Sequence, residues 1–220
     1  MLQSFKVENM KILNLYACLG GNRYKWGDDH EITAVEWDEE LARLYQERFP
    51  NDKVIVADAH QYLLDHYKEF DFIWSSPPCP THSRARFARR NTTTAVFPDM
   101  KLYQEVLFLD KWFEGKYVVE NVIPYYDPLI PAKKRGRHLY WTNFNLPSEL
   151  NERKISIMES KDEVNKWCEF HDYNFRKYKG KQSIQKIARN LVDYKAGETI
   201  LNTLMGIKTK QDITQTELFN

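Results

Sequence analysis

The chain has little cysteine: Cys18, Cys79 and Cys168 lie far apart in 220 residues. That spacing excludes a zinc-ligand pattern and a disulfide framework. No apolar run is long enough to span a membrane and no secretory signal is visible, so a soluble, cytoplasmic protein is expected. Net charge is nearly absent, with 32 Lys and Arg against 31 Asp and Glu. Such a balance does not mark a nucleic-acid binder, and it does not exclude one, because local patches set the field near a groove. The GxGxxG of dinucleotide folds is missing, which counts against NAD. The GxxxxGK[ST] of ATPases is missing too. There is no internal repeat and no low-complexity tract.

What is present suits one domain of ordinary size or a domain with a small appendage. Hydrophobic residues make up 42% and aromatics 14%, enough for a core. Strands are expected at Lys11–Ala17, Glu31–Glu36, Lys53–Ala57, Asp71–Trp74 and Tyr117–Glu120. Helical spacing runs over Asp38–Phe49, with Asp38 as N-cap and Pro50 after the stop, then over Ala59–Lys68 and Lys101–Phe113. This alternation predicts an α/β fold with a mostly parallel sheet and helices on both faces. Residues 1–144 read as the core. Residues 145–187 read as a short recognition or packing region, with a helix over Asp162–Phe175. Residues 188–207 read as a helix returning to the core, part of one helical run over Ser183–Met205, and 208–220 as a polar tail. Leu139–Phe144 is rich in strand formers.

Ligands of open parallel sheets bind beyond the carboxyl ends of the strands. Tyr16-Ala17-Cys18-Leu19-Gly20-Gly21 follows the first strand, and its small residues let a cofactor approach the backbone. A plain turn reads equally well. Glu36 closes the second strand and can accept ribose hydroxyls. Asp58 closes the third and can accept from an adenine amine. Each acid, taken singly, also reads as a helix cap. Ser76-Pro77-Pro78-Cys79-Pro80-Thr81-His82-Ser83 follows the fourth strand, and its prolines stiffen the backbone around one thiol. An inert buried cysteine is the structural alternative. A reactive one needs nearby positive groups or backbone donors. Glu120 ends the fifth strand, where an apolar setting can raise its pKa and make it a proton donor; a cap or salt bridge is the alternative.

Arg84, Arg86, Arg89 and Arg90 crowd the loop beside Cys79. Guanidinium groups suit phosphate clamping, although charge runs are commonly solvated surface. Lys133, Lys134, Arg135 and Arg137 form a second run. A looser third comprises Lys177, Lys179, Lys181, Lys186 and Arg189. A thiolate and a carboxylic acid are the two groups that methyl transfer to carbon 5 of cytosine needs. The thiolate adds at carbon 6, and the acid assists at ring nitrogen 3.

The pattern resembles the DNA cytosine-5 methyltransferases over roughly Lys11–Phe144, with a weaker match near Ala188–Ile200. Asn14-Leu15-Tyr16-Ala17-Cys18-Leu19-Gly20-Gly21 resembles the family's first motif, Asp-Leu-Phe-Ala-Gly-x-Gly-Gly. Glu36 with Trp37 resembles the ribose-binding motif, and Asp58 with Ala59 the adenine-contacting one. Pro78-Cys79 matches the nucleophile motif and Glu120-Asn121-Val122 the Glu-Asn-Val motif. Arg135 and Arg137 look like the paired arginines that hold cytosine and the catalytic loop. Arg189-Asn190-Leu191-Val192 looks like a degenerate final motif whose asparagine lines the cofactor site.

The resemblance implies a Rossmann-like fold and S-adenosyl-L-methionine as cofactor. It implies cofactor contacts from Tyr16, Ala17, Cys18, Gly20, Gly21, Glu36, Trp37, Asp58, Ala59, Pro78 and Asn190. Catalysis would fall to Cys79, Glu120, Arg135 and Arg137. DNA contacts would come from Ser83, Arg84, Arg86, Arg89 and Arg90, with the target cytosine flipped from the duplex. Asn14, Cys18 and Pro80 depart from the usual Asp, Gly and Gln, and the final motif lacks its Gly and Pro. The region available for target recognition is short, which implies a minimal reading element, a specificity subunit or a second copy. Compact virus-encoded relatives have a similar layout, so a bacterial or phage-infected cell is the implied setting. Two other readings stay open: the same chemistry on RNA, and a non-catalytic binding protein on a methyltransferase scaffold.

Overall fold

β1 (Lys11–Leu15) buries both of its faces: Leu13 and Leu15 enter one apolar cluster and Ile12 another. A strand covered on both sides belongs inside a parallel sheet with helices above and below. The computed structural model describes residues 9–153 and 162–207 and has this architecture. β2 (Glu31–Glu36), β3 (Lys53–Val56), β4 (Phe72–Ser75) and β5 (Lys116–Val122) all run parallel to β1. β6 (Lys133–Arg135) and β7 (His138–Thr142) form a hairpin, and β7 pairs antiparallel with β5. The seven-stranded order is β3-β2-β1-β4-β5-β7-β6. Strand order reverses between β1 and β4, and a crevice opens at their carboxyl ends.

The helices start where their caps dictate. α1 (Glu39–Arg48) begins at Asp38, whose carboxylate accepts from Glu40 N and Leu41 N. α2 (Ala59–His66) begins at Asp58 in the same way. α3 (Arg84–Ala88) is a short helix inside the basic segment after β4, capped by Ser83. α4 (Lys101–Trp112) lays Leu102, Val106 and Leu109 on the sheet. α5 (Glu163–His171) is shorter than its sequence pattern suggests, because Asp172 turns left-handed at φ +47 and ends it. The helical run expected over Ser183–Met205 is two helices, α6 (Ile184–Asn190) and α7 (Tyr194–Leu204). Asp193 breaks the run by capping α7 through Lys195 N at 3.0 Å and by accepting from Arg153 N at 3.0 Å. The polar tail expected over residues 208–220 lies outside the described residues.

Two close approaches bring the C-terminal helices to the first loop. A Cβ on Gly197 would sit 2.2 Å from the Asn22 carbonyl oxygen, and one on Gly21 would sit 2.3 Å from that of Val192. Only glycine lets these backbones touch. Trp167, Phe175, Tyr178 and Ile187 pack with Leu19, Leu41 and Leu44 in one cluster. The segment from α5 to α6 therefore rests on α1 and on the loop after β1.

Candidate active site

A cleft of about 690 Å³ opens at the carboxyl ends of β1, β2, β4 and β5. On its β1 side the chain leaves the sheet through Tyr16 and Cys18, both left-handed, at φ +57 and +48. Non-glycine residues rarely hold this conformation, and it concentrates at functional loops. Tyr16 is held by its hydroxyl, which donates to Glu105 Oε1 at 2.5 Å. Asn14 forms a reciprocal amide pair with Asn22 at 2.8 and 3.4 Å, which uses both the donor and the acceptor of its amide.

Glu36 lies buried in the cleft wall. Its Oε2 accepts from Cys18 N at 2.8 Å, and its Oε1 from Trp37 N and Asp38 N at 3.0 Å each. Burial outweighs these donors and raises its pKa. A carboxylate has about four acceptor sites, so one remains beyond these three bonds. Trp37, 70% exposed, stands beside it at the cleft wall. An acceptor with spare capacity, an aromatic plate and the small side chains of Ala17, Cys18 and Gly21 along the cleft fit the ribose and adenine of a nucleoside cofactor.

Ala17, Cys18, Gly21, Pro78 and Asn190 also line this cleft. Gly20, Asp58 and Ala59 do not. Gly20 packs on Tyr45 and Phe49, and Ala59 is buried in the main core. Asp58 Oδ1 caps α2 through His60 N and Gln61 N at 2.8 and 3.2 Å, while Oδ2 lies 3.5 Å from Lys101 Nζ.

The opposite wall carries the thiol. Cys79 is half-buried and shares the cleft with Glu120. Its loop is tied by hydrogen bonds to β5 and to the segment that follows it. Asn121 Nδ2 donates to Pro77 O at 2.9 Å. His82 Nδ1 lies 2.5 Å from the Tyr126 hydroxyl, and Tyr125 N donates to His82 O at 3.1 Å. Burial, then the charge of Glu120, pushes the Cys79 thiol up to about 11. The arginines beside it in sequence do not counter this. Arg84 binds Pro124 O, Arg86 binds Thr94 O and Arg89 binds Ala85 O, while Arg90 lies over the Phe87 ring. Of the basic-loop candidates, Ser83 and Arg84 line the cleft; Arg86, Arg89 and Arg90 do not.

Glu120 is almost fully buried on β5, and burial raises its pKa. The two arginines after it in sequence part company. Arg137 lines the cleft. Arg135 is absorbed by the carbonyls of Pro147, Lys134 and Leu146 at 2.5, 2.8 and 3.3 Å. Sequence reasoning missed His138, Glu152, Arg153 and Trp167, all of which line the cleft. His138 had one usable signal, its place directly after Arg137.

A family model described as C-5 cytosine-specific DNA methylase matches residues 10–122, just over half of the chain. The chain belongs to that family. As a C-5 cytosine-specific methylase, it uses S-adenosylmethionine as cofactor and is a methyltransferase acting on cytosine. No curated protein matches it. Solved structures similar to this methylase include a putative methyltransferase, yhhF, from Escherichia coli. That likeness has 16% identity and TM-score 0.41, covering 62% of this chain and 75% of the other. Another is a TehB-like SAM-dependent methyltransferase from Corynebacterium glutamicum, at 15% identity and TM-score 0.35, covering 55% and 59%. TrmN from Thermus thermophilus has 15% identity and TM-score 0.39, covering 60% and 42%. Among the described residues of the methylase, no helix is long and apolar enough to cross a membrane.

Proposed function

We propose that this methylase modifies carbon 5 of cytosine in DNA through a transient bond between Cys79 Sγ and carbon 6 of the ring. The observation that carries the reading is the meeting of Cys79 and Glu120 in one cleft, close enough for the Glu120 charge to act on the thiol. Cys79 gives its thiol proton to solvent water and adds to carbon 6 as a thiolate. Glu120, whose pKa burial raises, is the group that gives a proton to ring nitrogen 3. Carbon 5 then has the character of an enamine carbon and is nucleophilic. S-adenosylmethionine, when bound, supplies the electrophilic methyl group. After methyl transfer the carbon-5 proton passes to solvent water and the C6–S bond breaks. Glu36 and Trp37 hold the nucleoside end of the cofactor, with Tyr16, Ala17, Cys18, Gly21, Pro78 and Asn190 around it. Gly20 and Ala59 pack into the core next to that wall, and Asp58, its side chain exposed at the end of β3, accepts from the adenine amine. Arg137 faces the target base, and Arg135 braces the hairpin that carries it. Ser83 and Arg84 lie at the DNA side of the nucleophile loop, with Arg86, Arg89 and Arg90 as phosphate contacts on α3 and the turn after it. The size of the cleft suits a flipped cytosine beside the cofactor.

The test uses a mixed-sequence duplex with 5-fluorodeoxycytidine in place of every deoxycytidine, and RNA with 5-fluorocytidine as the comparator. Fluorine cannot leave carbon 5 as a proton does, so the adduct persists. Mass spectrometry is expected to show a protein–DNA species that carries one transferred methyl group, and Cys79→Ser to abolish it. Carbon-5 methylation of ordinary DNA by Cys79→Ser at the wild-type rate would falsify the nucleophile. An adduct with RNA and none with DNA would move the substrate to RNA.

A further inference from the structure

Glu120 has company at the base of the cleft. His138 Nε2 lies 3.5 Å from Glu120 Oε1, and His138 Nδ1 lies 3.6 Å from Glu152 Oε1. The Tyr140 hydroxyl donates to that same Glu152 oxygen at 3.0 Å. A carboxyl, an imidazole and a second carboxylate thus follow one another along the cleft wall. All three line the cleft.

The fold builds this row from three segments. In the β5–β7 ladder Glu120 stands opposite Tyr140 and His138 opposite Val122. Glu152 arrives from the chain beyond β7, and its carboxylate lies against position 136, which has no side chain. A Cβ on Gly136 would sit 2.5 Å from Glu152 Oε2. Gly136 is left-handed at φ +52 and leads the two-residue turn of the β6–β7 hairpin, where glycine is favoured. Other charged groups face the row. Cys79 faces Glu120. Arg137 acts on both His138 and Glu152, and Arg153 on Glu152. The Tyr140 ring meets the imidazole edge-on at 6.4 Å.

We propose that His138 is a positioning residue for methyl transfer: its imidazolium, held by Glu152, balances the charge left on Glu120 when that carboxyl protonates ring nitrogen 3. This rests on the acid role of Glu120 in the reading above. The Glu120 O–H bond breaks as the N3–H bond forms, and the electron pair stays on the carboxylate. The same proton returns to Glu120 when Cys79 leaves carbon 6. His138 exchanges no proton over the cycle. Burial alone would make a Glu120 carboxylate costly, and an opposite charge within about 4–6 Å favours it. The direction of the pKa shifts agrees. Burial lowers that of His138, but Glu120 and Glu152 outweigh it and raise it. Glu152 is lowered, because His138 and Tyr140 outweigh the effect of its burial.

His138→Gln keeps a hydrogen-bond donor and removes the cation. Single-turnover adduct formation on the 5-fluorodeoxycytidine duplex is measured across the neutral range of pH, with S-adenosylmethionine binding followed by calorimetry. The variant is expected to bind the cofactor as wild type does and to form the adduct roughly ten- to hundredfold more slowly. The limb of the pH profile that reports protonated Glu120 should move to higher pH, because a carboxyl without its counter-charge is the weaker acid. Glu152→Gln should slow the reaction less, and the double variant should show less than the product of the two single effects. A His138→Gln enzyme with the wild-type rate and profile overturns the proposal. So does a slower one with an unmoved profile, which would mark a structural role only. If His138→Gln does not fold, the same criteria apply to Glu152→Gln. Absence of any adduct with the wild-type protein would instead overturn the acid–nucleophile reading, and this inference with it.

Discussion

Single residues here do different work from their sequence neighbours, and Cys79 shows the consequence. Its thiol is pushed up to about 11 by burial and by Glu120, well above the ordinary cysteine value of about 8.5. The cofactor-free protein therefore holds a thiol at neutral pH, and reactivity must come with substrate. Alkylation of Cys79 by iodoacetamide, followed by mass spectrometry, should be slow at neutral pH and climb toward alkaline pH. Glu120→Gln should bring that climb to lower pH by removing a negative neighbour. A Cys79 that reacts fully at neutral pH, with an apparent pKa at or below the ordinary value, would contradict this. The four arginines near it were legible as a basic cluster. Their engagement with carbonyls of Pro124, Thr94 and Ala85 was not, because guanidinium partners depend on how the loop folds back. Asp58 is a similar case. An acid at a strand end reads equally well as a ligand or a cap, and its Oδ1 caps α2.

At the scale of elements, the link between α6 and α7 closes the cleft. Residues 191–193 carry the Val192 carbonyl onto Gly21, so the final motif presses on the first. Gly21→Ala would place a Cβ 2.3 Å from that oxygen and 2.9 Å from Leu191 Cδ2. Backbone cannot give way as a flexible side chain can, so the link must move. Overpacking of this kind costs about 1–3 kcal/mol. Chemical denaturation should show a loss in that range, and calorimetry should show weaker S-adenosylmethionine binding than the stability loss alone explains. Unchanged affinity would mean the link does not shape the cofactor wall. The parallel strands and the capped helices α1 and α2 were readable from local pattern, because their period and caps are written within each segment. β6 was not, since Lys133–Arg135 has no strand pattern of its own and is held by pairing with β7.

For the whole molecule, the cluster over α1 carries a cost that pH exposes. His171 is fully buried against Trp167, Phe170, Phe175 and Tyr194, and neither ring nitrogen has a hydrogen-bond partner among the described residues. Burial, then Arg48 and Arg153, lowers its pKa to about 3, whereas an unfolded histidine titrates near about 6.5. A depressed pKa contributes stability that is present above the unfolded value and lost as pH falls toward the folded one. Each pH unit in that window removes up to about 1.4 kcal/mol. Urea denaturation should therefore find the protein weakening as pH falls from about 6.5, and His171→Phe should flatten that slope. A slope unchanged in His171→Phe would assign acid lability to other groups.

The sequence alone determined the α/β class, the order of the parallel strands along the chain, and the residues that resemble a methyltransferase site. It could do so because strand period, helix caps and short motifs are local, and each is set by neighbours a few residues away. Only the tertiary structure decided which of those residues share the cleft. It separated Arg137 from Arg135, set Asp58 Oδ1 at the start of α2, split the last helical run at Asp193 and set His138 between Glu120 and Glu152. Those outcomes depend on contacts between segments distant in the chain, on a missing Cβ at Gly136 or Gly21, and on burial that shifts the protons of Cys79 and Glu120. Of these, the apolar setting of Glu120 was legible in its own segment, whereas the distant partners of Arg135, Asp193 and His138 leave no mark in the order of residues around them.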